Sequence, residues 1–225
     1  KATLFAGVGH SGIPARRMGT HPDPDMLQLF YSPGSCALAS HIALEEAGAP
    51  FRLTRVNFQA NEQRTPAFLA INPKGRVPAL VTEQGILTET PAILVYIAQR
   101  FAPARLAPLD DPYELARVQS FNSYLCSTVH VAHAHGGRGY RWADDPQAII
   151  AMKQKVPENM TECFKLIERD MLVGPWAMGE RFTVCDPYLF TIAGWLVRIS
   201  VYINRFPMVR AHHACTLARP GVARA

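Results

Sequence analysis

The chain reads as an α/β domain followed by an all-helical domain. Three features predict this. Apolar segments of strand length alternate with one helix and a hairpin up to about residue 101. The stretch 102–112 then carries three prolines and no helical period. Every segment beyond it has apolar residues at helical spacing.

The first strand is expected over Met26–Tyr31. Pro33-Gly34 ends it, Ser35 can cap a helix, and Ala37 to Ala47 reads helical up to Gly48. A second strand follows at Phe51–Val56, then a short helix. Val77–Thr82 and Gly85–Leu87 form a hairpin around Gln84-Gly85. A parallel first pair joined by a helix and followed by an antiparallel hairpin makes a small mixed sheet with one right-handed crossover. Thr90-Pro91-Ala92 opens a helix to about Arg100, with proline tolerated in its first turn. Past the linker, Tyr113–His133, Pro146–Leu172, Asp186–Val201 and Pro207–Ala218 are expected helices, the second kinked at Pro157. Thr183-x-x-Asp186 has the form of a capping box, a folding signal. The expected domains are therefore 26–101 and 113–225, joined by a linker at 102–112. Residues 1–25 are rich in Gly, Pro and His and read as a leader or appended arm outside the fold.

Composition excludes several classes. At 225 residues and 48% hydrophobic, the chain can bury one large core or two modest ones. Spanning a bilayer takes roughly 20 apolar residues, and the longest uncharged apolar run, Pro187–Val197, is too short. Five widely spaced cysteines without a C-x-x-C pair argue against a disulfide framework and a zinc site, and point to a reducing cytoplasm. The formal charge of +5 comes from scattered basic residues and predicts no nucleic-acid partner.

Cys36 is the leading candidate for chemistry. It stands at the foot of a helix, where unpaired first-turn amides favour thiolate over thiol and bind anionic groups. A packed, inert thiol is the competing reading. Pro78 lies in an apolar strand run where it breaks a ladder, so it marks an edge, a bulge, a cis peptide or a plain rigid turn. Glu89-Thr90, between strand and helix, is either a simple cap or an anion site. Tyr31 could offer a hydroxyl to a bound thiolate or be a strand aromatic. His130, His133 and His135 crowd an expected helix end; with no acid or cysteine nearby to complete a ligand set, no metal is assigned.

Four segments, Tyr31-Ser32-Pro33-Gly34-Ser35-Cys36, Asn72-Pro73-Lys74-Gly75-Arg76-Val77-Pro78-Ala79-Leu80, Leu87-Thr88-Glu89-Thr90 and Phe182-Thr183-Val184-Cys185-Asp186-Pro187-Tyr188, occur in an order and spacing that resembles cytosolic glutathione transferases of the bacterial, cysteine-bearing beta type. The likeness spans Met26 to Ala225. It implies a thioredoxin-like N-terminal domain holding glutathione, a helical domain shaping an apolar co-substrate pocket, a homodimer, and detoxifying conjugation of small apolar electrophiles. Thiol-disulfide exchange at Cys36 and a non-catalytic binding module are the alternatives.

The resemblance also implies residue roles. Val77 would pair its backbone with the extended tripeptide beside a cis Pro78, with Ser35 next to Cys36. Glu89 would accept from the γ-glutamyl ammonium, while the Thr90 hydroxyl and the amides after it hold its carboxylate. His130 falls where such enzymes place a histidine near the glutathione sulfur, as an acid, a base or a thiolate stabiliser. Two departures stand out. Asn61 occupies the loop position of a lysine that meets the glycyl carboxylate, so glutathione is expected either to bind more weakly or to be held through Arg64 close behind. Val131 replaces a basic residue, which predicts a more apolar pocket; specificity would lie in Val131, Gly139–Trp142 and the helices around Trp195.

Overall fold

A computed structural model of the protein describes residues 26–225; the leader reading of 1–25 lies outside the described residues. Strand β1 (Leu27–Tyr31) runs parallel to β2 (Phe51–Arg55) and antiparallel to β3 (Ala79–Thr82), which pairs with β4 (Gly85–Thr88). The sheet order is β2-β1-β3-β4. Helix α1 (Ala37–Glu46) makes the crossover between the parallel strands, and α2 (Pro66–Leu69) precedes β3. This is the thioredoxin-like arrangement. β3 is shorter than expected: Val77 and Pro78 lie outside the ladder, where proline has no N–H to give.

Alternation along β1 divides the packing. Leu27 and Leu29 join the main core, whereas Phe30 meets Phe68 of α2 edge-on, ring centroids 5.9 Å apart, in a smaller cluster with Val56, Val77 and Ala79. Seven of the ten residues of α1 are buried, as befits a helix packed between other elements rather than on the surface. It packs on α3 (Thr90–Arg100) and α7 (Cys185–Ala193), so one core runs through both halves of the molecule. A Schellman turn ends α1: the Gly48 N–H reaches Glu45 O and the Ala49 N–H reaches Leu44 O, with Gly48 at φ +61°.

The region after α3 is ordered by its contacts. Leu106 is buried, and its carbonyl accepts from Val184 N at 2.8 Å. Asp111 caps α4 (Pro112–Tyr124) by accepting from the amides of Tyr113 and Glu114. A π-helical turn (Leu125–Val129) leads directly into α5 (His130–Arg138), so this helical rod continues past the expected stop at His133. Gly136 and Gly137 lie inside α5. Gly136 faces Val156 of α6 (Pro146–Leu166), where an added Cβ would already be in contact at 3.7 Å. Helix α6 runs unbroken through Pro157, and a π-helical turn (Ile167–Met171) follows it. α7 stops before Gly194 and gives way to a 3₁₀ turn (Leu196–Ile199), shorter than the expected Asp186–Val201. Helix α8 (Pro207–Leu217) and a short unforeseen α9 (Pro220–Arg224) close the chain. Arg219 and Arg224 pair with Glu46 and Glu45, tying this end to α1.

Asp186 is fully buried and heavily used. Its carboxylate accepts from Ala177 N (2.6 Å), Thr183 N (2.6 Å) and the Thr183 hydroxyl (3.2 Å), and lies 2.9 Å from His212 Nε2. The expected box is present in altered form, because the Thr183 hydroxyl accepts from Cys185 N rather than from Asp186 N.

Candidate functional site

A cavity of about 630 Å³ opens where the N-terminal domain faces α5 and the turn after α7. On the first side stand Pro33 to Cys36, Asn61, Arg64, Arg76 to Pro78, Glu89 and Thr90. Cys126, His130, Val131, Arg138, Tyr140 to Trp142, Trp195 and Arg198 line the second. All the sequence-expected residues except Tyr31 and Gly139 reach it. Tyr31 instead packs against the smaller core cluster, its ring 6.4 Å from that of His41.

Cys36 lies just before α1 and is 8% exposed. The expected thiolate is not what its surroundings favour. Burial pushes the thiol up, and the Thr90 hydroxyl and the Arg138 charge offset this only in part. The thiol donates to Val77 O at 3.6 Å. The first-turn amides thought to face the sulfur are already used: Ala37 N by the Ser35 hydroxyl (3.3 Å), Leu38 N by Ser35 O (3.2 Å), and Ala39 N by Cys36 O (3.1 Å). Ser35 thus closes the N-terminus of α1, and its own hydroxyl donates to Ser32 O.

Helix α3 begins differently. No side chain caps it, Pro91 has no N–H, and the amides of Thr90 and Ala92 have no hydrogen-bond partner among the described residues. Thr90 itself is buried, beside Cys36. The residue before it, Glu89, adopts φ +73°, ψ +122°, a conformation costly for a side chain. Its half-exposed carboxylate is 2.6 Å from Lys74 Nζ, which also donates to the Thr88 hydroxyl at 2.7 Å. Lys74 sits inside the Asn72–Leu80 motif, yet its pairing with Glu89 was not foreseen. The Val77-Pro78 bond is cis, and the Val77 N–H has no partner among the described residues. Nearby, Asn61 holds a left-handed turn. The Arg64 guanidinium lies over Gly75, where a Cβ would come within 2.9 Å of it.

The helical wall departs most from expectation. The π-helical turn precedes His130, so this histidine sits inside a continuous rod rather than at a helix end. Burial, aided by Arg138, His133, Arg76 and Arg141, holds its pKa down to about 3; burial and the charges of Arg138 and Arg198 hold that of His133 at about 4. Arg138 Nη2 is 3.2 Å from His130 Nε2. Guanidinium can only donate, so Nε2 is an acceptor and the neutral ring carries its proton on Nδ1. His130 is therefore held neutral at pH 7, with its Nε2 turned to Arg138. Both histidines pack on Trp195, at 4.8 and 4.7 Å between ring centroids. The wall is not simply apolar either, since Arg138, Arg141 and Arg198 reach it. Their separation in sequence hid them. Among the described residues, no group of three or more His, Cys, Asp or Glu side chains could hold a metal ion.

Residues 26–99 match the family model described as glutathione S-transferase, N-terminal domain. Glutathione S-transferase GstA of Escherichia coli O157:H7 is 30% identical over 199 residues, covering 87% of this chain and 95% of that protein. Among solved structures, a glutathione transferase homolog from Sulfitobacter with bound glutathione is 44% identical, with TM-score 0.86, covering 89% of this chain and 96% of its own. The bacterial beta class glutathione S-transferase of Sphingomonas chungbukensis is 34% identical, with TM-score 0.76, covering 88% and 96%.

Proposed function

The chain belongs to the glutathione S-transferase family, and we propose that its cavity holds glutathione beside Cys36 and conjugates it to small electrophiles with an apolar body. The observation that carries this reading is the convergence on one cavity of the open start of α3, the unpaired Val77 N–H and the Cys36 thiol. An extended tripeptide fits these groups as an added strand fits a sheet edge, with Val77 N–H as donor. Its γ-glutamyl carboxylate meets the Thr90 hydroxyl and the free amides of α3, which the helix dipole favours. The γ-glutamyl ammonium meets Glu89, and the glycyl carboxylate meets Arg64 beside Asn61. Ser35 keeps α1 closed behind Cys36.

The sulfur of glutathione then lies against Cys36. Since burial keeps Cys36 a thiol, its hydrogen can turn from Val77 O to the glutathione thiolate, and it serves as a donor rather than the nucleophile. Arg138 adds positive charge nearby, and Arg138 in turn is steadied by neutral His130. Holding two reactants in contact supplies the rest. The raised thiol counts against disulfide exchange as the main reaction. Conjugation of this kind suits detoxification by a cytoplasmic homodimer, with 26–101 and 113–225 acting as the glutathione and co-substrate domains.

The test is to label the thiols and to remove one. With iodoacetamide at pH 6.5, buried Cys36 should react more slowly than exposed Cys215. Cys36→Ala should lower conjugation of 1-chloro-2,4-dinitrobenzene only in part. Rapid Cys36 labelling together with complete loss of conjugation would establish Cys36 as the nucleophile and overturn the donor role.

A further inference from the structure

We propose that the helical wall of the cavity is an anion subsite, and that the preferred electrophile carries a carboxylate or similar negative group on its apolar body. This rests on the glutathione reading above and names the class of its co-substrate. Five arginines line the cavity: Arg64, Arg76, Arg138, Arg141 and Arg198. Among the described residues, the only carboxylate in the lining is Glu89, and it is paired with Lys74. None of the five has an ion pair with an acid among the described residues.

Glutathione does not account for this charge. With two carboxylates, a thiolate and one ammonium it brings two net negative charges against five arginines, and its carboxylate anchors lie on the thioredoxin-like side. Arg138, Arg141 and Arg198 come instead from the end of α5, the turn after it and the turn after α7. They share one neighbourhood. Arg138 is within electrostatic reach of Arg141 and Arg76, and His133 feels both Arg138 and Arg198. The Arg198 guanidinium rests against the loop before Cys36, where a Cβ at Gly34 would fall 2.6 Å from its Nη2, so this wall comes close to the glutathione side of the cavity. Like charges gathered on a partly buried wall repel one another, and a bound anion relieves that repulsion while accepting forked hydrogen bonds. Trp195 and Trp142 offer flat surfaces for an aromatic body next to them.

Two electrophiles of one scaffold make the test, 4-chloro-3-nitrobenzoate and its methyl ester. In each, the glutathione sulfur supplies the electron pair of the new C–S bond, the C–Cl pair departs as chloride, and the thiol proton goes to water. Without enzyme the ester reacts faster, since a carboxylate withdraws electrons less. The enzyme should reverse this order, with kcat/KM for the acid exceeding that for the ester by about tenfold or more, as expected for hydrogen bonds to a charged group. That ratio should fall several-fold in Arg141→Gln and in Arg198→Gln, and in 0.5 M NaCl. Equal or ester-favoured turnover by the parent enzyme overturns the subsite while leaving conjugation standing. A second measurement needs no turnover: tryptophan quenching by acid and ester with S-methylglutathione bound. Tighter acid binding without conjugation of either compound supports the subsite and removes the conjugation reading; equal affinities overturn the subsite.

Discussion

Asp186 and Glu89 each stand at the start of a helix, and they live in opposite conditions. Asp186, in the first turn of α7, is fully buried and accepts from two backbone amides and a hydroxyl while facing His212. Glu89, just before α3, is half exposed, caps nothing, holds a positive φ and has only a flexible lysine for company. A carboxylate whose oxygens are all used inside the protein has none left for a ligand. One kept in a costly conformation, beside amides that no residue satisfies, contributes little to folding that an alanine or glycine would not. The same residue chemistry at the same kind of position thus serves folding in one place and binding in the other.

The widest separation between them should appear in stability. Asp186→Ala leaves Ala177 N, Thr183 N and His212 without their acceptor in the core, and breaking such a buried set costs about 3–5 kcal/mol. Urea unfolding should show that loss, while the folded fraction binds glutathione with unchanged affinity in calorimetry. A near-normal midpoint with weakened binding would erase the contrast.

Glu89→Gly should do the reverse, and by less. Glycine relieves a backbone conformation that costs about 1–3 kcal/mol, against about 0.5–1 kcal/mol for its greater freedom when unfolded. The unfolding midpoint should therefore hold or rise. Glutathione affinity should fall by about tenfold, near 1.4 kcal/mol, because half-exposure discounts the ammonium–carboxylate pair. A lowered midpoint with intact affinity would make Glu89 a second Asp186.

How much of this was readable in advance follows the same divide. Signals confined to a few residues were legible: the parallel first pair with its crossover helix, the antiparallel hairpin, the Schellman glycine and the Thr183-x-x-Asp186 cap. Pro78 stayed open between an edge, a bulge, a cis peptide and a turn, and the gathering of Cys36, Glu89 and Thr90 was implied by the family resemblance. What failed depended on distant neighbours. The protonation of Cys36 is set by burial within the cavity, and Ser35 uses the very amides that the local pattern offered to the sulfur. His130 looked like a helix-end residue because the helix was expected to stop at His133, whereas a π-helical turn joins α4 to α5 and the rod runs on to Arg138. Tyr31 shares a strand with residues near the site but packs into the core cluster. The arginine wall joins residues 138, 141 and 198, which only the fold brings together.

The smallest effect tests what Lys74 does. Its ammonium occupies the carboxylate that the γ-glutamyl ammonium is proposed to take, so in the free protein it competes with the ligand for Glu89. Both partners are about half exposed, with 45% and 51% of their side chains accessible, and such pairs are worth about 0–1 kcal/mol. Lys74→Met should therefore leave the unfolding midpoint within experimental error and strengthen glutathione binding by no more than about fivefold. The sign carries the information. If Lys74 only competes, affinity rises; if it also reaches the γ-glutamyl carboxylate beside Thr90, removing it weakens binding, and the double variant with Glu89→Ala shows which holds. A gain from Lys74→Met that persists without Glu89 cannot come from freeing that carboxylate, and Glu89 would then lose its proposed place in the site.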